Sequence, residues 1–121
     1  MKKDDLLSIS PLDGRYSRAC KDISEIFSEY ALIKKRVYVE VKWLIFLSNL
    51  SNIKELPKIT TKDIKFILDI ANNFSLSDAK EVKKIEKTTN HDVKAIEYFV
   101  KSKLQKHTRL KKYTEYIHIC C

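Results

Sequence analysis

The sequence predicts an all-α fold of about five helices behind an irregular N-terminal arm, and three observations carry that expectation. One glycine and two prolines in 121 residues are too little turn material for a barrel or sandwich of many short strands. Apolar residues recur every three or four positions through most of the chain, which is the period of a helix face. Ser, Thr or Asn precedes the longer periodic segments, where a helix needs a side chain to accept its first free N–H groups. With 44% hydrophobic and 33% charged residues, the chain suits one soluble globular domain with a modest core rather than a disordered segment.

Residues 1–16 form the arm and 17–121 the helical domain. In the arm, Pro11 fixes its own φ and presses Ser10 towards an extended shape, while Asp13-Gly14 is a turn dipeptide that tolerates positive φ. A short helix over Arg18–Ile26 follows. Ser28 caps a long second helix, with Glu29 favourably placed in its first turn. Ile33, Val37, Val41, Leu44 and Leu47 share its inner face, and Trp43 and Phe46 widen the stripe. Tyr38, Val39, Ile45 and Phe46 put apolar surface on more than one side of it. The cluster from Ser48-Asn49 to Ser51-Asn52 ends this helix near Leu50.

Pro57 marks the next loop. Thr60 or Thr61 caps a third helix with Ile64, Ile67, Leu68 and Ala71 on one face, closed by Asn72-Asn73. Ser75 or Ser77 starts a fourth, carried by Leu76, Ala79, Val82 and Ile85. Asn90 is the expected N-cap of a fifth, with Val93, Ile96, Val100 and Leu104 inward. From Leu110 to Cys121 the chain is apolar and aromatic again, and its last residues, Y-I-H-I-C-C, read as core rather than as a solvated tail.

The net charge of +8 invites a nucleic-acid reading, but only Arg15, Arg18, Arg36 and Arg109 are arginines among 24 basic residues. Arginine is the side chain that reads bases and grips phosphate in two places. Lysines scattered among acids read instead as a solvated helix surface, whose charge still favours small anionic ligands. Cys20, Cys120 and Cys121 form no spaced metal or disulfide pattern. No secretion signal opens the chain, because Asp4 and Asp5 interrupt it. The most apolar stretch, Val37–Leu50, contains Glu40 and Lys42 and is too short to span a bilayer. These features predict a reduced, cytoplasmic protein with no membrane partner.

Two segments stand apart from helix-building residues. On the Asp13-Gly14 turn, Arg15 could fork onto a phosphate or carboxylate while Tyr16 adds a hydroxyl and a ring; the alternative is a surface arginine beside a packed tyrosine. In T-T-N-H-D, Thr88 to Asp92, an Asn90 cap would put His91 and Asp92 in the first turn of a helix, where free N–H groups attract anions. Thr88 and Thr89 would add hydroxyls, and His91 could contact an oxyanion or pass a proton. The alternative there is an Asp92 that complements the helix dipole and a solvated His91. His107 reads as exposed and His118 as a satisfied core histidine. No metal-binding set, glycine phosphate loop or base-paired nucleophile emerges.

Taken in order, S-P-L-D-G-R-Y, F-S-E-Y-A-L-I-K-K-R-V-Y-V-E-V-K-W-L, I-E-K-T-T-N-H-D-V-K-A-I-E-Y-F and E-Y-I-H resemble the bacterial-type adenylosuccinate lyases of the fumarase/aspartase superfamily. The resemblance runs from about Ser8 to Cys121. It implies the N-terminal helical domain of that fold and a β-elimination that releases fumarate from adenylosuccinate to give AMP, and from SAICAR to give AICAR. It also implies a homotetramer, no metal or organic cofactor, and a purine nucleotide bearing a succinyl group as the small-molecule substrate.

By the same resemblance, Arg15 and Tyr16 fall on the family's nucleotide-binding pair, and Asn90, His91 and Asp92 on its second substrate-binding segment. No catalytic residue is certain. His91 is assigned to substrate contact, with proton transfer as its lesser role, and Lys94 and Glu86 are supporting neighbours. The family's chain continues beyond the position of Cys121 with a Thr-Ser pair, a long helical bundle and the residues assigned as general acid and base. The expectation is therefore an N-terminal part of such an enzyme, inactive by itself. The competing reading is a non-catalytic basic helical module that binds RNA or an acidic protein partner.

Overall fold

The computed structural model describes residues 4–50 and 52–121. Its elements are α1 (Lys21–Phe27), α2 (Glu29–Ser48), α3 (Thr61–Asn72), α4 (Leu76–Thr89) and α5 (Asp92–Gln105), with 3-10 turns at Asp5–Leu7 and Lys111–Tyr116. No strand occurs among the described residues, so the all-α expectation holds. Residues 1–3 of the expected arm, and Ser51 of the cluster expected to end α2, lie outside the described residues. The chain divides into two compact units, Met1–Leu32 and Ile33–Cys121.

Local hydrogen bonds shape the first unit. The Asp4 carboxylate accepts from the Leu6 N–H at 2.9 Å, and the Asp13 carboxylate accepts from the Ser10 N–H at 2.7 Å and the Ile9 N–H at 3.3 Å. Such short-range acceptors let a chain turn without a sheet or helix ladder. Gly14 lies buried in the resulting loop. Its φ is not positive, so the turn does not use the left-handed freedom that glycine offers. Space is what requires glycine here, because a Cβ would stand 2.7 Å from the Asp5 carbonyl oxygen and 3.0 Å from Ser8 Cβ.

Helix α1 begins at Lys21 rather than Arg18, because the preceding residues are turns; the Tyr16 N–H reaches the Pro11 carbonyl at 2.8 Å and the Ser17 N–H reaches that of Gly14 at 3.0 Å. No residue of α1 is buried. Leu6, Ile9 and Phe27 are 91%, 94% and 81% exposed, so these apolar side chains find little burial within the unit. Ser28 both ends α1 in an extended conformation and caps α2, its Oγ accepting from the Ala31 N–H at 3.2 Å.

The second unit holds the core. Val37, Val41, Leu44 and Leu47 of α2 are buried, as the spacing predicts. The side chains of Ser48 and Asn49 close that helix by donating to the Ile45 carbonyl at 2.7 and 3.1 Å. Thr60 caps α3 through the Asp63 N–H, and Ile67 and Ala71 face inward. Ser75 and Asp78 form a reciprocal capping box at the start of α4, which satisfies two otherwise orphaned N–H groups. Burial alone would push the Asp78 carboxyl up, but hydrogen bonds from Ser75 and Lys103 outweigh it and hold the group below its ordinary range. Ala79 and Val82 turn inward, whereas Leu76, expected on the same face, is 59% exposed.

Helix α5 packs against α4, α3 and the 3-10 turn at Lys111–Tyr116. Ile96, Phe99, Val100 and Leu104 are fully buried, Phe74 meets Phe99 edge to face at 5.6 Å, and Tyr113 lies wholly inside. Three acids, Glu40, Asp63 and Glu97, are buried in this unit. Asp63 pairs with Arg109 Nε at 2.7 Å, and Glu97 pairs with Lys94 and Lys101 at 2.8 and 2.9 Å. Among the described residues no helix is long and apolar enough to cross a membrane.

Candidate functional site

The corner between α4 and α5 is built from Thr89, Asn90 and His91. The structure shifts the expected cap by one residue. Asn90 ends α4 in the left-handed conformation (φ 51, ψ 30), its N–H reaching the Glu86 carbonyl at 2.7 Å. Asparagine's short polar side chain suits that region better than most. His91 is extended and is itself the N-cap of α5, with Nδ1 accepting from the Lys94 N–H at 3.0 Å. The Thr89 hydroxyl lies 3.3 Å from the His91 N–H and 3.1 Å from its carbonyl oxygen, bracing the turn rather than facing a ligand.

This cap assigns the imidazole's chemistry. A nitrogen that accepts a hydrogen bond carries no proton, so the neutral ring is protonated at Nε2. The side chain is 62% exposed, and its outer nitrogen is therefore a donor. That geometry suits holding an oxyanion better than abstracting a proton.

Asp92 opens α5. Its Oδ1 accepts from the Val93 N–H at 2.9 Å, and its Oδ2 accepts from Arg36 on α2 at 2.6 Å. The Arg36 guanidinium, helped by that N–H, holds the Asp92 carboxyl below its ordinary range. Arg36 is a member of this corner that sequence reasoning missed: 56 residues separate it from Asp92, and it carries no local signal. Lys94 lies one turn on, with Nζ above the Tyr98 ring at 5.5 Å; its hydrogen bond to Glu97 raises the ammonium's pKa. Lys94 is thus held as a cation, not as a base. Glu86 pairs with Lys83 at 2.7 Å on the α4 side.

Arg15 and Tyr16 belong to the first unit. Both are exposed, with the guanidinium carbon 5.4 Å from the ring centroid. The fixed loop around Gly14 presents them together, and stacking on the ring leaves the guanidinium edge available for an anion.

The remaining histidines are engaged elsewhere. His107 is exposed and meets Phe66 edge-on at 4.4 Å. His118 Nδ1 lies 2.5 Å from Oε1 of buried Glu40, in keeping with a satisfied histidine. Polar side-chain atoms of Glu40, His118 and Cys121 all lie within 4.8 Å of one another. No spacing rule could find a set whose first two members are 78 residues apart.

A family model described as lyase matches residues 14–121. The chain belongs to the lyase family. This lyase chain is 46% identical over 121 residues to the adenylosuccinate lyase of Buchnera aphidicola subsp. Schizaphis graminum, covering 100% of the chain and 26% of that relative. The adenylosuccinate lyase of Haemophilus influenzae is also 46% identical, over the same shares of the two chains. That of Dictyostelium discoideum is 50% identical over 119 residues, 95% of the lyase chain and 25% of the relative. The chain thus spans about a quarter of the length of the curated relatives it matches. The all-α fold and the fumarase/aspartase-type expectation agree with this match.

Proposed function

We propose that this chain supplies the substrate-binding segments of an adenylosuccinate lyase, an enzyme that eliminates fumarate from adenylosuccinate to give AMP and from SAICAR to give AICAR. The observation that carries the reading is identity of 42–50% to proteins of that name over nearly all of the chain. Arg15 and Tyr16 hold one end of the nucleotide, as a cation and a phenol suited to phosphate. Asn90, His91 and Asp92 hold another part of it. His91 donates from Nε2 to an oxyanion, while Arg36 fixes the rotamer of Asp92 so that the carboxylate accepts from a substrate hydroxyl or amine. His91 contacts substrate and moves no proton in this scheme, because its other nitrogen is committed to the α5 cap.

The whole enzyme is a cytoplasmic homotetramer in this reading. With about a quarter of its relatives' length, the chain alone releases no fumarate. Amide-resolved NMR titration with adenylosuccinate tests the assignment. Saturable shifts confined to Arg15–Tyr16 and Asn90–Lys94 are expected. Equal shifts with tripolyphosphate, or shifts spread over the lysine-rich surface, would favour a non-catalytic basic module instead.

A further inference from the structure

We propose that Arg36 is a further substrate-binding residue of the α4–α5 corner and receives a carboxylate of the succinyl group. The inference rests on the reading that Asn90, His91 and Asp92 hold part of a succinyl nucleotide. Arg36 stands on α2 and reaches the corner from there, its Nη1 donating to Asp92 Oδ2 at 2.6 Å. Its side chain is 32% exposed, so it is neither sealed in the core nor spread into water.

The pair with Asp92 uses little of the guanidinium. Arginine offers five N–H donors in a rigid plane. Among the described residues, Asp92 is the one hydrogen-bond acceptor that Arg36 meets. A bond at Nη1 leaves the edge formed by Nε and Nη2, whose two parallel N–H groups match the two oxygens of a carboxylate. Arg36 also lines a cavity of about 220 Å³ with Val39, Val93 and Ile96. Apolar walls keep water away and strengthen a charged hydrogen bond made beside them. The neighbouring cations have other engagements: Lys94 pairs with Glu97 at 2.8 Å, and Lys35 Nζ lies 5.8 Å from the Tyr38 ring centroid.

Charge selects a carboxylate over a phosphate. Asp92 already sits against the guanidinium, so it repels any second anion that Arg36 takes. That repulsion is about twice as large for a phosphate dianion as for a singly charged carboxylate. Asp92 therefore has two effects. It holds the guanidinium plane in place, and it discriminates against the more highly charged group.

The test compares the affinity of the 121-residue chain for adenylosuccinate and for AMP, which lacks the succinyl group, by NMR titration of parent and variants. Arg36→Met should weaken adenylosuccinate binding by about tenfold or more, and AMP binding by less than about twofold. Arg36→Lys keeps the charge without the fork and should recover only part of the loss. Arg36→Met in an Asp92→Asn background separates direct contact from support of Asp92, and direct contact predicts that the loss persists there. Far-ultraviolet circular dichroism monitors helicity throughout. Equal weakening of both ligands, full recovery by Arg36→Lys, or a loss that disappears in the Asp92→Asn background overturns the assignment while leaving the corner as a nucleotide site. A parent chain without saturable shifts overturns both the assignment and the reading beneath it.

Discussion

At Gly14 a single missing methyl decides how the arm can fold. The Cβ of alanine would meet the Asp5 carbonyl oxygen at 2.7 Å, and that oxygen belongs to backbone that cannot simply rotate away. Gly14→Ala should therefore open the loop at a cost of about 1–3 kcal/mol. Hydrogen exchange should accelerate at the Ser10 and Tyr16 amides, while protection in α4 and α5 stays unchanged. His91 calls for two substitutions, because one side chain both caps α5 and offers Nε2 outward. His91→Ala should cost about 1 kcal/mol in urea unfolding. His91→Asn should recover most of that loss, since asparagine is a good cap, but should not recover adenylosuccinate binding. Recovery of both would leave the imidazole with a structural role only.

At the scale of elements, the pairing of α3 with the segment after α5 is asymmetric. Asp63 is 1% exposed, whereas the Arg109 side chain is 52% exposed. Removing the arginine strands a buried carboxylate whose Oδ2 already lacks a partner. Removing the aspartate releases a cation that water can solvate. Arg109→Met should thus destabilise the fold by roughly 2–3 kcal/mol, less than a fully buried pair would lose, and Asp63→Asn by less. Equal losses in chemical denaturation would contradict this asymmetry.

Helix boundaries were readable from local signals at Ser28, Thr60 and Ser75, because a cap involves only the next three residues. The same logic misplaced the α5 cap. Asn90 and His91 can each cap or turn, and only the left-handed end of α4 at Asn90 decides between them.

Across the whole molecule, the acid limb of stability should report on buried carboxylates. Burial by itself raises the Glu97 pKa, but Lys94 and Lys101 more than reverse it and leave the group below its ordinary 4.5. A folded-state pKa below the unfolded one gives stability that is present above 4.5 and lost as pH falls through the folded value. Between about pH 6 and about pH 3, Glu97→Gln should therefore lose less stability than the parent chain. Parallel pH profiles would remove Glu97 from the account. A second global feature is the apolar surface left outside the core, including Phe27, Val39 and Phe46 at 81%, 53% and 52% exposed. The spacing of α2 anticipated Val39 and Phe46, since they stand off its inner stripe.

The amino-acid order alone determined the helical class, the inner face of α2, most of the caps, and the two short segments that stand apart from helix-building. These depend on period and on contacts within about four residues, which the chain carries everywhere along its length. Only tertiary packing decided that Arg36 meets Asp92, that Arg109 meets Asp63, and that Glu40 faces His118 and Cys121. Each of those partnerships joins side chains dozens of residues apart. Their proximity depends on how helices lie against one another, a relation that no local pattern encodes.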